Sequence, residues 1–158
     1  MNLHKEISFE VEICQHLAAH DWLYAEGDAA KYDRARALFP EDVLAWVQTT
    51  QPQSWEALVK SNGSAAAETL LNRLRDQLNQ RGTLDVLRHG IELLGLKQPV
   101  QMVQFKPALV INPAILTRYA ANRLRVVRQV RYSQQNENSI DLVQFLNGIP
   151  VATVELKT

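Results

Sequence analysis

Cysteine is almost absent from this chain: Cys14 stands alone in 158 residues. No internal disulfide can form, which excludes a disulfide-stapled secreted domain and agrees with a reducing cytoplasm. Long apolar runs are missing too. A stretch such as residues 149–154 falls far short of the roughly 20 residues that a bilayer-crossing helix needs, and Met1-Asn2-Leu3-His4-Lys5-Glu6 has no apolar signal core. Net charge is nil, with 17 Lys+Arg against 17 Asp+Glu. Glycine and proline number only six each, and 46% of residues are hydrophobic, so collagen-like fibre and disordered tail are both excluded. What remains is a length suited to one soluble, cytoplasmic domain that can bury a core.

The neutral total conceals an uneven distribution. Residues 1–60 carry ten acids and five bases, whereas residues 61–158 carry seven acids and twelve bases. Arg118, Arg123, Arg125, Arg128 and Arg131 follow one another with no acid between them. Such a strip can meet nucleic-acid phosphates, because only nearby charges escape screening. Equally, it can be a strand face whose arginines pair with the acidic N-terminal part.

The spacing of apolar residues predicts helices first and strands last. Phe9, Val11, Ile13 and Leu17 recur at helical intervals over residues 8–19, with Ser8 as N-cap and Phe9, Ile13 and Leu17 facing the core. Residues 24–36 read as a loop. Pro40 and Pro52 (or Ser54) open short helices. Leu70, Leu71, Leu74 and Leu78 mark a stripe on a helix over residues 65–79, Gly82 ends it, and Thr83 caps another to about Leu94. Residues 100–105 alternate weakly and predict a strand. Asn112-Pro113 opens a helix to about Asn122, and three β-prone runs follow, over 124–132, 140–146 and 149–156. The expectation is one α+β domain over 1–158, with a helical part over about 8–94, a strand-rich part over about 100–158 and a terminal antiparallel meander.

The chemistry falls in the last hairpin, where Asn147-Gly148 separates two apolar β runs. Against that background Asp141, Glu155 and Lys157 stand out, and Glu155 and Lys157 share one strand face. Charges in an apolar strand are costly unless paired or metal-bound. Two carboxylates beside an ammonium suit Mg²⁺, which takes one or two carboxylates and keeps waters. Register sharpens the expectation. A strict two-residue hairpin opposes Asp141 with Val154 and sends Glu155 to the other face. The carboxylates can share a face only with an odd-numbered loop, such as a type I turn with Gly148 left-handed, or with a bulge. The plain alternative is that these charges guard an edge strand against aggregation.

Asp141 followed, after thirteen intervening residues, by Glu155-Leu156-Lys157 resembles the PD-(D/E)xK nuclease signature. Further stretches resemble one family, the N-terminal region of the restriction (R) subunit of type I restriction-modification enzymes. They are Arg81-Gly82-Thr83-Leu84-Asp85-Val86-Leu87-Arg88-His89-Gly90, Tyr119-Ala120-Ala121-Asn122-Arg123-Leu124 and Arg128-Gln129-Val130-Arg131-Tyr132-Ser133. The likeness continues through Asn136-Glu137-Asn138-Ser139-Ile140-Asp141-Leu142-Val143 and from Phe145 to Lys157. It implies a restriction-endonuclease-like αβββαβ core carrying a helical insertion. It also implies double-stranded DNA as substrate, modification and specificity subunits as partners, and ATP-driven translocation by helicase-like regions of the parent subunit.

Carried over, Asp141 and Glu155 would hold Mg²⁺ with the Leu156 carbonyl, and Lys157 would orient the attacking water. Glu10, in preference to Glu12, would add an acid from the first helix. Arg123, Arg128, Arg131 and Tyr132 become DNA-contact candidates. The family continues with a helix bearing a Gln-x-x-x-Tyr motif and then an ATP site. Neither occurs before Thr158, so the expectation is a C-terminally truncated nuclease domain. Two other readings stay open, a non-catalytic docking domain of the same subunit and a stand-alone repair or homing nuclease of the same fold. His16 and His20, four apart on a helix, lack a third metal ligand nearby. Cys14 reads as a small residue flanking the core, and the three tryptophans as core anchors in preference to base-stacking platforms.

Overall fold

The computed structural model describes residues 3–157. These form six helices, α1 Leu3–Ala18, α2 Pro40–Thr50, α3 Pro52–Asn62, α4 Ala66–Arg81, α5 Thr83–His89 and α6 Pro113–Ala120, and three strands, β1 Leu124–Arg131, β2 Ser139–Leu146 and β3 Ile149–Val154. The class is α+β, as expected. The chain separates into two compact units, one made of the residues up to Pro40 with those from Arg123 onward, the other of Glu41–Asn122. The first forty residues therefore fold with the strands, not with the helical part.

The discontinuous unit is built on an antiparallel sheet in the order β1-β2-β3. β1 and β2 are apolar on both faces because both are covered, whereas β3 leaves Val151, Ala152 and Thr153 exposed. One face packs Val127, Val130, Val143 and Phe145 with Phe39. The other packs Val126 and Leu142 with Cys14, and with Ile13 and Leu17 of α1. α1 starts before Ser8, which lies inside the helix and is no N-cap. Its buried stripe is also rotated from the expected one. Glu10 and Cys14 are its buried residues, while Phe9 is 53% exposed. A polar side chain occupies the inward slot because a guanidinium waits there.

Asn147 and Gly148 form a two-residue turn with φ of +50° and +83°, the double positive φ that a type I′ hairpin demands. The turn is thus neither odd-numbered nor type I. The irregularity lies further along. Leu146 pairs with Ile149 and Phe145 with Pro150, but Gln144 pairs with Ala152, so Val151 is an extra residue on β3. Asn147 is fully buried, and its side chain accepts the Arg123 N–H at 2.7 Å.

In the helical unit, Trp46, Leu58, Leu70 and Leu74 are buried. The α4 stripe contains Leu70, Leu71 and Leu74 as expected, with Gln77 buried in the next turn. α5 stops at His89, earlier than expected, at Gly90 with φ +71°. A Cβ there would lie 2.5 Å from the Val100 carbonyl oxygen, so this close approach requires glycine. Asn112 caps α6 by accepting the Ala114 N–H at 3.0 Å, as its Asn-Pro pair predicted.

The strand expected over 100–105 does not form. Apart from a single bridge between Val100 and Ile91, side chains satisfy this backbone in place of a partner strand. Gln51 accepts from the Gln101 N–H and donates to its carbonyl, both at 2.8 Å. Asn122 does the same for Gln104, at 3.3 and 2.7 Å. Trp46 Nε1 also donates to the Gln101 carbonyl, at 2.8 Å, and is buried as a core anchor.

Candidate active site

The bulge at Val151 has a direct chemical result. Beyond it Leu142 pairs with Val154, so one further step of the same register sets Asp141 across from Glu155. Directly opposed residues share a face, and Lys157 follows two residues on. Asp141 Oδ2 accepts the Leu156 N–H at 2.7 Å, which ties the carboxylate to the segment leaving β3. Glu155 responds to its surroundings. Desolvation first, then the charge of Asp141 and a hydrogen bond with its carboxylate, raise the Glu155 carboxyl above the ordinary glutamate value; Lys157 pulls the other way and Glu10 adds slightly. Asp141, Lys157 and Glu10 therefore all lie within electrostatic reach of Glu155, where the chain leaves β3.

Glu10 is the best-anchored acid, 3% exposed. Arg128 donates to its Oε2 from Nε at 3.0 Å and from Nη2 at 2.7 Å. Gln129 Nε2 donates to Oε1 at 2.6 Å and also to Asp141 Oδ1 at 3.3 Å. Glu12 is exposed on the opposite side of the helix. Of the two acids, Glu10 is the one aimed at the sheet.

The donor set can accept a hard cation. Asp141 and Glu155 oppose each other as like charges, and a bound dication would relieve the repulsion that holds Glu155 toward its protonated form. Among the described residues no group of three or more His, Cys, Asp or Glu side chains forms a metal cage. Two carboxylates with water completing the shell match Mg²⁺ better than Zn²⁺. His16 and His20 stack with ring centroids 4.4 Å apart, and His20 Nδ1 lies 2.8 Å from the His16 carbonyl oxygen. Cys14 is fully buried, and burial pushes its thiol up to about 11, which suits packing and not nucleophilic attack.

The arginine strip divides by partner. Arg125 is buried, donates from Nη1 to Asp28 Oδ2 at 2.6 Å and lies over the Phe39 ring at 4.6 Å. Arg128 is held by Glu10. These two meet acids of the N-terminal forty residues, the pairing that the charge distribution allowed. Arg131 is exposed and reaches Glu137 at 2.9 Å, where Arg34 forms a two-pronged contact at 3.1 and 3.3 Å. Arg34 and Arg131 hold the Glu137 carboxyl below its usual range. All three border a cleft of about 700 Å³ lined also by Gln129 and Ser139. Tyr132 is exposed beside it in sequence, and Arg123 is half-buried next to the hairpin turn. Gln129 carried no signal in the sequence, since nothing in a run of alternating apolar and basic residues singles out one amide; the charge distribution allowed an arginine–acid pairing but did not join Arg125 to Asp28 in particular.

A unit with two opposed carboxylates and a lysine at one end of its antiparallel strands belongs, by its fold, to the α+β class. Within it the relationship is specific: residues 10–158 match the family described as type I restriction enzyme R protein N terminus, and the chain belongs to that family. No curated protein and no solved structure matches it. No described helix is long and apolar enough to cross a membrane.

Proposed function

We propose that this chain is the endonuclease domain of a type I restriction enzyme R subunit, hydrolysing DNA phosphodiesters with Mg²⁺. The observation that carries this reading is the register beyond Val151, which sets Asp141 opposite Glu155 with Lys157 close by. The order α1-β1-β2-β3 agrees with the first four elements of an αβββαβ nuclease core. Asp141, Glu155 and the Leu156 carbonyl would hold Mg²⁺, which when bound supplies Lewis acidity at the phosphate. Lys157 orients the attacking water and offsets the negative charge that develops as the phosphorus–oxygen bond breaks. Glu10 acts behind them as the buried acid that anchors the site from α1.

Arg131 and Tyr132 are exposed and would meet the DNA backbone, with half-buried Arg123 beside the hairpin turn as a further contact, whereas Arg128 serves the site from inside by holding Glu10. In the parent subunit, ATP-driven translocation would deliver DNA, and modification and specificity subunits would choose the target. The test is Asp141→Ala in the R subunit assembled with those partners. We expect loss of DNA cleavage by at least about a hundredfold, with assembly and ATP hydrolysis kept. Undiminished cleavage would leave a docking domain as the better account.

A further inference from the structure

Strand β1 loses its alternation at one residue. Arg125 lies against Phe39, and Val127 packs in the same cluster, while Val126 packs against Cys14 on the α1 side. Arg128 continues the pattern and reaches Glu10 of α1. Alternation would then send Gln129 to the Phe39 side and Val130 to the α1 side. The opposite is found. Val130 belongs to the Phe39 cluster, and Gln129 also donates to Glu10.

The break sits at Gln129 itself, whose φ is +54°. A non-glycine residue adopts this left-handed conformation only against steric strain, and strain of this kind collects at functional sites. The ladder survives around it, with Arg128 still paired to Leu142 and Val130 to Ile140. What the distortion achieves is an amide between two carboxylates. Ionised carboxylates only accept, so the NH₂ end faces Glu10 and Asp141, and Oε1 is left to accept the Ser139 hydroxyl at 2.7 Å.

We propose that Gln129 is a positioning residue for Asp141, tying the carboxylate through Oδ1 to the buried Glu10–Arg128 pair while Leu156 N–H holds Oδ2. Each oxygen is thereby oriented by one donor and keeps lone pairs for a cation. This inference rests on the reading of Asp141 as a metal ligand. Partners behind a ligand are typically worth 10–100-fold in metal affinity.

The test is Mn²⁺ binding to the 158-residue chain, followed by loss of the free-ion electron paramagnetic resonance signal, beside thermal melting. Wild type should bind, and Asp141→Asn should abolish binding. Gln129→Gly accepts the positive φ without strain and lacks the amide. It should weaken binding about tenfold or more while melting at the same temperature or higher. Ser139→Ala leaves the backbone untouched and should weaken binding in the same direction, by less; it carries the test should Gln129→Gly not fold. Wild-type affinity in both variants would overturn the proposal and leave Asp141 as ligand. A fall in melting temperature matching the loss of affinity in both would overturn it too. Absence of Mn²⁺ binding in the wild type would remove both this inference and the reading beneath it.

Discussion

Glu155 is the residue on which the site's electrostatics turn. Its carboxyl is raised by desolvation and by Asp141, and lowered by Lys157. A raised acid binds its proton more tightly in the folded chain than in the unfolded one. Its contribution to stability is therefore full at acid pH and declines as pH climbs from the ordinary glutamate value through the raised one. Metal uptake has the opposite sign, since only the ionised form binds, so Mn²⁺ affinity should grow across the same interval. Titration of the Glu155 carboxyl carbon by NMR checks the causes one at a time. Asp141→Asn should move the midpoint down, and Lys157→Met should move it up. A midpoint indifferent to both changes would mean that the three groups do not share a site. Asp28 and Arg125 show the contrasting case of charges used for structure. Both are buried, and removal of one partner from such a pair typically costs about 3–5 kcal/mol because the other is left uncompensated.

The decisive element is the β2–β3 hairpin, and a change in its length tests it. Deleting Val151 removes the bulge yet leaves Glu155 across from Asp141, because the strict two-residue hairpin then counts to the same pair. Inserting one alanine after Val151 instead sets Val154 across from Asp141 and turns Glu155 to the other face. The insertion should abolish Mn²⁺ binding and the deletion should retain it; the reverse result would dissociate the register from the site. This hairpin was also the most legible part of the sequence. Asn147-Gly148 announced the turn, and the demand that two carboxylates share a face required an irregularity near it, though not its position at Val151. Elsewhere local pattern misled. The alternation of residues 100–105 was satisfied by the amides of Gln51 and Asn122, some 50 and 18 positions away, which no local window contains. α1 presented an apolar stripe through Phe9, yet the helix turned Glu10 inward, because the guanidinium that compensates its burial comes from Arg128 on a distant strand.

At the scale of the molecule, the candidate site belongs wholly to the unit formed by the two ends of the chain. Glu10 comes from α1, and Gln129, Asp141, Glu155 and Lys157 from the sheet and its margin. The points where the chain leaves and re-enters this unit are tied to adjacent residues of one turn. Phe39 N–H donates to the Gly148 carbonyl at 2.9 Å, and Arg123 exchanges hydrogen bonds with Asn147, its N–H to the side chain at 2.7 Å and its carbonyl to the Asn147 N–H at 2.8 Å. Ends held this close can be joined by a short flexible linker, since loop closure costs only about 0.6 kcal/mol for each doubling of length. The sheet keeps cores on both faces, from Phe39, Val127, Val143 and Phe145 on one and Cys14, Val126 and Leu142 on the other, all within the unit. Replacing residues 41–122 by a Gly-Ser linker of about six residues should therefore leave a folded protein that binds Mn²⁺ within about threefold of the whole chain, as circular dichroism and Mn²⁺ titration would report. It should melt at a lower temperature, because a smaller domain buries a smaller share of its surface. A shortened chain that folds yet loses the metal would assign the helical unit a part in shaping the site. One that fails to fold would mean that the sheet cannot stand without the residues inserted between Pro40 and Arg123.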